Sequence, residues 1–480
     1  MTMSTHISPN LSHRLLSRRA FLQLGGGVGL ALGGLSGRSP IAQADSDNIY
    51  LPGFGSAKSV IVVFASGGQS QFETWDPKPD APDLIRGEFS AIQSSVPEIL
   101  LCEHLPRLAQ ITDKYTIVRS MSHEDLDHGS AFYLSMTGHY HPNKTSNHPP
   151  QPFDQPCYSS VLKRIRPDSA FVQPAIHLNA PALVPETLGP GQFGGILGRD
   201  YDPMFLGNVI AESIAMPGLS PISDLPEIRL NSRQTLLQSL EETNRFIDRH
   251  QRLSDMHQMY GQAFDLLADP KAQFAFDLSR EPQTVRDRYG RNRAGQACLL
   301  ARRLVEASVP LVTVVFNHSN RGQDKAPTVT DEYGWDTHND IFYSLKTHLL
   351  PRFDLGFSAL LEDLDNRGLL DETLVICMGE FGRAPLVAYE SSFAGKTPGR
   401  KHWGNVYSIV MAGAGVTRGA TLGRSDNRGA YPASEQFGPW DVTATLFSAL
   451  GIDPAGHYSD PFDQMRPISI GKPMSGLYAG

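Results

Sequence analysis

The sequence has 480 residues, of which 40% are hydrophobic and 19% are charged, a balance that excludes disordered and fibrous proteins. Its 42 Lys and Arg and 50 Asp and Glu residues give a net charge of -8 at pH 7, which provides no electrostatic basis for binding nucleic acid. The four cysteines show no C-x-x-C spacing and are too few for a scaffold built on disulfides.

Residues 1–44 have the features of a twin-arginine signal peptide. Arg18 and Arg19 precede a weakly apolar, glycine-rich run at 24–32, and Ala42-Gln43-Ala44 is a small-residue cleavage site. A membrane anchor is the alternative, but only about 15 to 17 residues separate Ala20 from Gly37 and many of them are Gly, whereas a spanning helix needs roughly 20 strongly apolar residues. We therefore expect a transient partnership with the twin-arginine translocase. The mature protein is expected in the periplasm or at the cell surface, with no membrane span.

Patterns typical of strands and helices alternate along residues 45–480, which we predict to be one α/β domain. Short apolar runs predict buried strands at 59–64, 115–118, 309–316, 373–378 and 406–411. Helices are predicted at 105–114, 130–136, 296–307, 340–366 and 441–450. This alternation predicts a doubly wound, mostly parallel sheet flanked by helices. Residues 181–295, rich in Pro and Gly at first and helical later, are predicted to be an inserted helical subdomain.

Polar side chains follow the predicted strands at several points in the chain. In an open parallel sheet, reactive residues gather beyond the carboxyl ends of the strands. Five such groups occur, at 67–76, 120–128, 335–339, 379–383 and 399–403. Carboxylates and imidazoles recur in them, and these are the donors of a hydrolytic metal site. The sequence therefore predicts a metal-assisted reaction at this edge of the sheet.

Four motifs carry a resemblance to a known family. They are, in chain order, Gly67-Gly68-x-Ser70-x-x-x-Thr74-Trp75-Asp76-Pro77-Lys78-Pro79, Gly334-Trp335-Asp336-Thr337-His338, Gly379-Glu380-Phe381-Gly382-Arg383 and Gly399-Arg400-x-His402-Trp403. Together they resemble the bacterial domain of unknown function 1501 family, over essentially the whole mature chain. The resemblance implies a core fold like that of alkaline phosphatases, sulfatases and cofactor-independent phosphoglycerate mutases. It implies no established activity, because none is known as a property of the family.

The resemblance also implies a divalent metal held by Asp336, His338 and His402. Zinc, manganese, calcium and magnesium all suit a site of oxygen and nitrogen ligands. Each histidine has a structural alternative as well: His338 as a cap of the following helix, and His402 as a packed core residue beside Trp403.

A second metal of the wider superfamily is held in part by an Asp-His pair, whose place is taken here by Glu380 and Phe381. Phe381 has no ligand atom, and the early aspartate of the superfamily is replaced by the Gly67-Gly68 turn. Glu380 is expected to complete or bridge the shell of the remaining metal. The alternative is that Glu380 and Arg383 form a buried ion pair that supports the sheet edge.

The nucleophile is expected at a helix N-terminus, where the helix dipole and free N–H groups favour an anion. Ser122, His128 and Ser130 are the candidates beside the helix predicted near residue 130. Arg383 and Lys401 are expected to neutralise the nonbridging oxygens of an ester, Arg383 through its bidentate fork and Lys401 as a point charge. A solvated acidic loop is the alternative surrounding for His128.

These residues favour an exported, metal-dependent hydrolase of phosphate or sulfate esters, acting on an anionic small molecule or a polymer end. The alternative belongs to another class: an exported binding or assembly protein that keeps the fold but has lost hydrolysis. The incomplete second metal site and the uncertain nucleophile are the features that favour this alternative. The two hypotheses differ in whether Asp336, His338, Glu380 and His402 lie within one coordination shell.

Overall fold

The central strand of the molecule is the apolar run Ser59–Phe64, whose six residues are all buried. A strand that is apolar on both faces is typical of a parallel sheet covered by helices on each side. It pairs in parallel with Leu311–Val315 on one side and with Thr373–Met378 on the other. The carboxyl ends of these three strands therefore meet at one edge of the sheet.

This computed structural model describes residues 51–166, 173–185, 187–210, 270–317, 319 and 333–478. The strands are β1 Ser59–Phe64, β2 Ala91–Gln93, β3 Leu100–Cys102, β4 Tyr115–Met121, β5 Ala175–Leu178, β6 Met204–Leu206, β7 Leu311–Val315, β8 Thr373–Met378, β9 Gly382–Arg383, β10 His402–Trp403, β11 Tyr407–Ala412, β12 Ala420–Leu422, β13 His457–Ser459 and β14 Met465–Pro467. The α-helices are α1 Asp83–Arg86, α2 Pro106–Gln110, α3 His128–Thr137, α4 Tyr158–Ile165, α5 Pro270–Phe276, α6 Gln283–Tyr289, α7 Arg293–Glu306, α8 Ile341–Ser344, α9 Leu350–Asn366 and α10 Pro439–Ala449.

Within these described ranges, eight strands form the main sheet, in the order β12-β4-β11-β8-β1-β7-β5-β6. All neighbours are parallel except β11, which runs antiparallel to both β4 and β8. The predicted fold class, a doubly wound and mostly parallel α/β sheet flanked by helices, is confirmed. The sheet explains why the site residues converge, because the chain leaves β1, β4, β7 and β8 at the same edge.

Two hydrophobic cores lie on the two faces of the sheet. One contains alternate residues of β1, such as Ile61 and Val63, packed against α2, α5, α7 and α9. The other contains Val60 and Val62, packed against α3, α4 and α10. This alternation follows from the two-residue period of a strand, which sends successive side chains to opposite faces.

Two of the predicted regions lie wholly or partly outside the described residues. The signal peptide predicted at 1–44 is one, and residues 211–269 of the predicted insertion are the other. Within the described part of the insertion, β6 pairs in parallel with β5 and forms an edge of the main sheet. Among the helices that the structure describes, none is long and apolar enough to cross a membrane.

Candidate metal centre

Four side chains from three parts of the sequence meet at the carboxyl edge of the sheet. His128 is the first residue of α3, which follows β4. Asp336 and His338 lie in the segment after β7, held against the end of β1 by a hydrogen bond from the Trp335 N–H to the Ser66 carbonyl at 3.0 Å. His402 lies in β10, which pairs with β9 just beyond β8.

The four side chains point one donor atom each at a common centre. Oδ1 of Asp336 lies 3.2 Å from Nε2 of His128, 3.1 Å from Nε2 of His338 and 3.3 Å from Nε2 of His402. The Nε2 atoms of His338 and His402 are 2.8 Å apart. All four donor atoms lie within 4.8 Å of one another. Ligands about 2.0 to 2.1 Å from a tetrahedral ion stand roughly 3.3 Å apart, so the three distances from Asp336 are those expected between ligands of one ion.

The second ring nitrogen of each histidine is bound to an acceptor outside the centre. Nδ1 of His128 donates to Glu380 at 2.6 Å, Nδ1 of His338 donates to Glu390 at 2.7 Å, and Nδ1 of His402 donates to the Leu126 carbonyl at 2.7 Å. Because these oxygens only accept, a neutral ring carries its proton on Nδ1 and its lone pair on Nε2. Metal-binding histidines in proteins are held in this way.

Three imidazole lone pairs and one carboxylate therefore face one another, an arrangement that needs a cation. His128 Nε2 is buried and has no hydrogen-bond partner, although it lies 3.2 Å from Asp336 Oδ1. A buried polar atom without a partner is costly, and a bound ion satisfies it. The residues present thus fit a divalent metal with nitrogen and oxygen ligands.

Without a metal, the charges of the centre shift the pKa values of its members. Burial lowers the pKa of His128, but Asp336 and Glu380 raise it by more than burial lowers it, so that the pKa rises to about 9. Burial and the charge of His128 lower the pKa of His402 to about 3. Burial favours a neutral Asp336, but His128 and Arg383 hold the pKa of Asp336 well below its usual range. In the metal-free centre an additional proton on Nε2 of His128 therefore takes the place of the cation, opposite an ionised Asp336.

Arg383 is completely buried behind Asp336. Its guanidinium donates to Asp336 Oδ1 at 2.8 Å and to the Gly68 carbonyl at 3.0 Å, and it also bonds to the Gly67 carbonyl. The proposed ion pair between Arg383 and Glu380 is absent from the contacts of these two described residues: Arg383 pairs with Asp336, whereas Glu380 pairs with His128. The side chains of Arg383 and Glu380 are long enough to reach Asp336 and His128, so they pair with these residues and not with each other.

Phe381 occupies the space beside the four donors. Its ring centroid lies 4.9 Å from that of His128 and 4.7 Å from that of His402. The Gly67-Gly68 turn leaves β1 in the left-handed region of φ, and a Cβ at Gly68 would come within 2.6 Å of the Phe381 ring. Glycine is therefore required at residue 68, both for its φ of +77° and for this close approach.

A family model described as "Protein of unknown function (DUF1501)" matches residues 57–474, which is most of the chain. The chain belongs to the DUF1501 family. The resemblance seen in its four motifs is thereby confirmed. No curated protein matches the sequence of this DUF1501 protein.

Several solved structures are similar to this DUF1501 protein at low identity. They include the PsFucS1 sulfatase from Pseudoalteromonas sp., with 13% identity, a TM-score of 0.39, and coverage of 89% of this chain and 72% of that one. A protein in the alkaline phosphatase superfamily from Vibrio parahaemolyticus has 11% identity, a TM-score of 0.36 and coverage of 84% and 68%. The lipoteichoic acid synthase LtaP from Listeria monocytogenes has 9% identity, a TM-score of 0.37 and coverage of 84% and 74%.

The structure brings the three residues of the predicted first metal together. Asp336, His338 and His402 are in the group, and the fourth member is His128, which the sequence suggested as a nucleophile. Glu380, predicted as a ligand or bridge, lies behind His128 and contacts it through Nδ1.

The other predicted residues lie around the group. Ser122 directly follows β4, and its N–H donates to the Phe437 carbonyl at 2.7 Å; none of the hydrogen bonds or ion pairs of the four described donors involves it. Ser130 donates to Asp125 at 2.7 Å. The Lys401 side chain is 63% exposed and lies 3.5 Å from Glu390.

Sequence reasoning missed Glu390, the partner of His338. Glu390 lies in the loop between β9 and β10, held by a hydrogen bond from Asn339 Nδ2 to its carbonyl at 2.8 Å. None of the four motifs includes Glu390. A ligating histidine is expected to have an acceptor behind its other ring nitrogen, but this general rule does not predict which carboxylate fills that place.

Proposed function

We propose that this DUF1501 protein is an exported hydrolase of phosphate or sulfate esters that uses one divalent metal. The observation that supports it best is the convergence of His128, Asp336, His338 and His402 on one centre. Three histidines and a carboxylate, each with an outer partner, are ligands that suit zinc or a similar ion. Catalysis would require the ion to take water or the ester as a fifth ligand, an expansion that catalytic zinc sites show. Hydrolysis of an ester is a reaction that such a site can catalyse without a redox cofactor.

A divalent ion bound there supplies Lewis acidity toward an ester oxygen and lowers the pKa of a coordinated water. The chain's own residues fix the ligands. Glu380, Glu390 and the Leu126 carbonyl orient the three rings, and Arg383 orients the carboxylate of Asp336. The side chain of His402, at 19% exposed, is the most accessible of the four ligands, so the substrate is expected to arrive from its side.

The charges around the centre favour an anionic substrate. Arg383 neutralises Asp336 from the buried side, so the ion retains more of its positive charge toward the ligand that arrives from solvent. Lys401, next to His402 and exposed, adds a point charge that can meet a nonbridging oxygen. Arg383 serves the reaction by holding Asp336, since its guanidinium is bonded to protein oxygens and has no exposed surface.

The test is metal content and ester hydrolysis measured on one preparation of exported protein. Purified protein is expected to contain about one metal ion per chain and to hydrolyse a phosphate or sulfate ester from a small panel of aryl and sugar esters. Asp336→Asn is expected to abolish hydrolysis and bound metal together. Full metal occupancy with no hydrolysis of either ester class would favour the alternative, an exported binding or assembly protein.

We further propose export by the twin-arginine translocase. The supporting observation is the pair Arg18-Arg19 ahead of a glycine-rich apolar run. Replacing both arginines by lysine should leave the precursor in the cytoplasm. Normal export of that variant, or a mature N-terminus far from Asp45, would overturn the assignment.

A further inference from the structure

The carboxylate of Glu380 is completely buried and is held by two elements of the sheet edge. Both of its oxygens accept from the Gly67 N–H, at 2.8 and 3.0 Å, and Oε1 also accepts from Nδ1 of His128 at 2.6 Å. Its closest partner that can carry positive charge is thus the imidazole of His128. A buried carboxylate in this position draws the Nδ1 proton strongly, because its negative charge has little other compensation.

The backbone at Glu380 is fixed as well. Its carbonyl accepts from Nε2 of His123 at 2.7 Å, and Nδ1 of that histidine accepts from the Asp125 N–H at 3.1 Å. The two bonds require the neutral tautomer of His123 that is protonated on Nε2. His123 therefore serves as a structural hydrogen-bond donor. It fixes the backbone of Glu380, whose carboxylate in turn binds His128.

The three outer partners of the ligating histidines differ in character. The Leu126 carbonyl behind His402 is neutral, and Glu390 behind His338 is 18% exposed and lies 3.5 Å from Lys401. Glu380 alone among these three described partners is both charged and fully buried. Its effect on the basicity of its histidine is consequently the least screened.

We propose that Glu380 is a positioning residue that makes Nε2 of His128 a metal ligand: it accepts the hydrogen bond from the protonated Nδ1, sets the ring orientation and leaves the lone pair of Nε2 for the ion. This inference rests on the metal centre of the proposed function. It places Glu380 outside the coordination shell, bonded to a ligand. The sequence motif suggested instead that Glu380 completes or bridges the shell. Partners of this kind change metal affinity by about 10- to 100-fold when they are replaced.

The experiment compares zinc dissociation constants of full-length mature protein and two variants, measured by competition with a chelator. Glu380→Gln keeps the size and one acceptor oxygen but removes the charge, and its zinc dissociation constant should rise about 10- to 100-fold. With excess zinc it should still bind one ion per chain, because all four ligands remain. Loading with Co²⁺ should shift the visible absorption bands, since the field of the His128 ligand changes.

Glu281→Gln is the matched control. Glu281 is also a buried carboxylate, but it pairs with Arg302 and Arg303 in the helical layer and has no contact with the four described donors. Its replacement should lower the melting temperature and leave the zinc dissociation constant unchanged. A Glu380→Gln variant with a zinc constant within threefold of the parent would overturn the inference. So would loss of the bound ion at saturating zinc, since Glu380 would then be a ligand.

A measurement on the parent protein keeps the inference testable if Glu380→Gln fails to fold. In zinc-loaded protein labelled with ¹⁵N-histidine, the ring assigned to His128 should show a protonated Nδ1 and a zinc-bound Nε2. Coordination through Nδ1 would overturn the inference. These measurements use zinc and no ester, so a protein that binds zinc in this way but hydrolyses nothing would overturn the proposed function alone.

Discussion

The site has two halves at the same sheet edge: the first is the four donors around Asp336, and the second is the Gly67-Gly68 turn with Arg383. The two halves differ in the balance of hydrogen-bond donors and acceptors. Around Asp336, three imidazole nitrogens and a carboxylate converge, and His128 Nε2 has no donor to accept from. Around the Gly67-Gly68 turn the balance is closed, because Arg383 donates to both carbonyls and the Gly67 N–H donates to Glu380.

The difference shows that polar groups at a strand end can be arranged either to bind a metal ion or to pair with one another. An excess of lone pairs requires an external cation, whereas the buried guanidinium of Arg383 supplies an internal one. The aromatic ring of Phe381 packs against His128 and His402 of the metal centre and lies beside Gly68 of the turn. We therefore expect one metal ion per chain, held in the first half.

The largest expected effect is on metal binding and comes from His128→Ala. Removing one of four ligands should weaken zinc binding by more than the about 10- to 100-fold typical of an outer partner. His348→Ala is the control, because His348 lies in the helical stretch 345–349 and stacks on Tyr333 away from the four donors. Equal zinc content in the two variants, measured by elemental analysis, would show that His128 is not a metal ligand.

Arg383→Met should mainly reduce stability. The change leaves Asp336 without its buried counter-charge and leaves the Gly67 and Gly68 carbonyls without their donor. Breaking such a pair costs about 3 to 5 kcal/mol in the free energy of unfolding, which urea titration of the metal-free protein can measure. An unfolding free energy close to that of the parent would show that the second half does not depend on this internal cation.

The proton held by the metal-free centre makes zinc affinity depend on pH. Asp336 and Glu380 outweigh the effect of burial and raise the pKa of His128 to about 9, so zinc must displace a proton from Nε2 at lower pH. The affinity should rise about tenfold per pH unit between roughly pH 7 and pH 9 and then level off. Chelator-buffered titrations at several pH values check this, and an affinity independent of pH below about 9 would contradict it.

The smallest expected effect belongs to Lys401→Ala. Lys401 is exposed and its ion pair with Glu390 is long, so the free energy of unfolding should change by no more than about 0.5 kcal/mol and zinc binding should hardly change. If Lys401 meets an anionic substrate, KM for an active ester should rise while the bound metal stays constant. A parallel loss of metal would place Lys401 among the supports of the centre instead.

Local pattern in the sequence was enough to predict the sheet. Continuous apolar runs such as 59–64 and 373–378 predict buried parallel strands because both faces must be covered, and β1 and β8 have these same bounds. Asp336, His338 and His402, three of the four donors, were predicted through the resemblance of their motifs to a known family.

Only the tertiary structure decided which charged and aromatic side chains became partners. His128 joins the donors because α3 begins at this edge, and Glu390 reaches His338 from a part of its loop that lies outside the four motifs. Glu380 and Arg383 are three residues apart, yet one pairs with His128 and the other with Asp336. Such pairings depend on where strand ends meet and on the reach of long side chains, and neither is recorded in the spacing of residues along the chain.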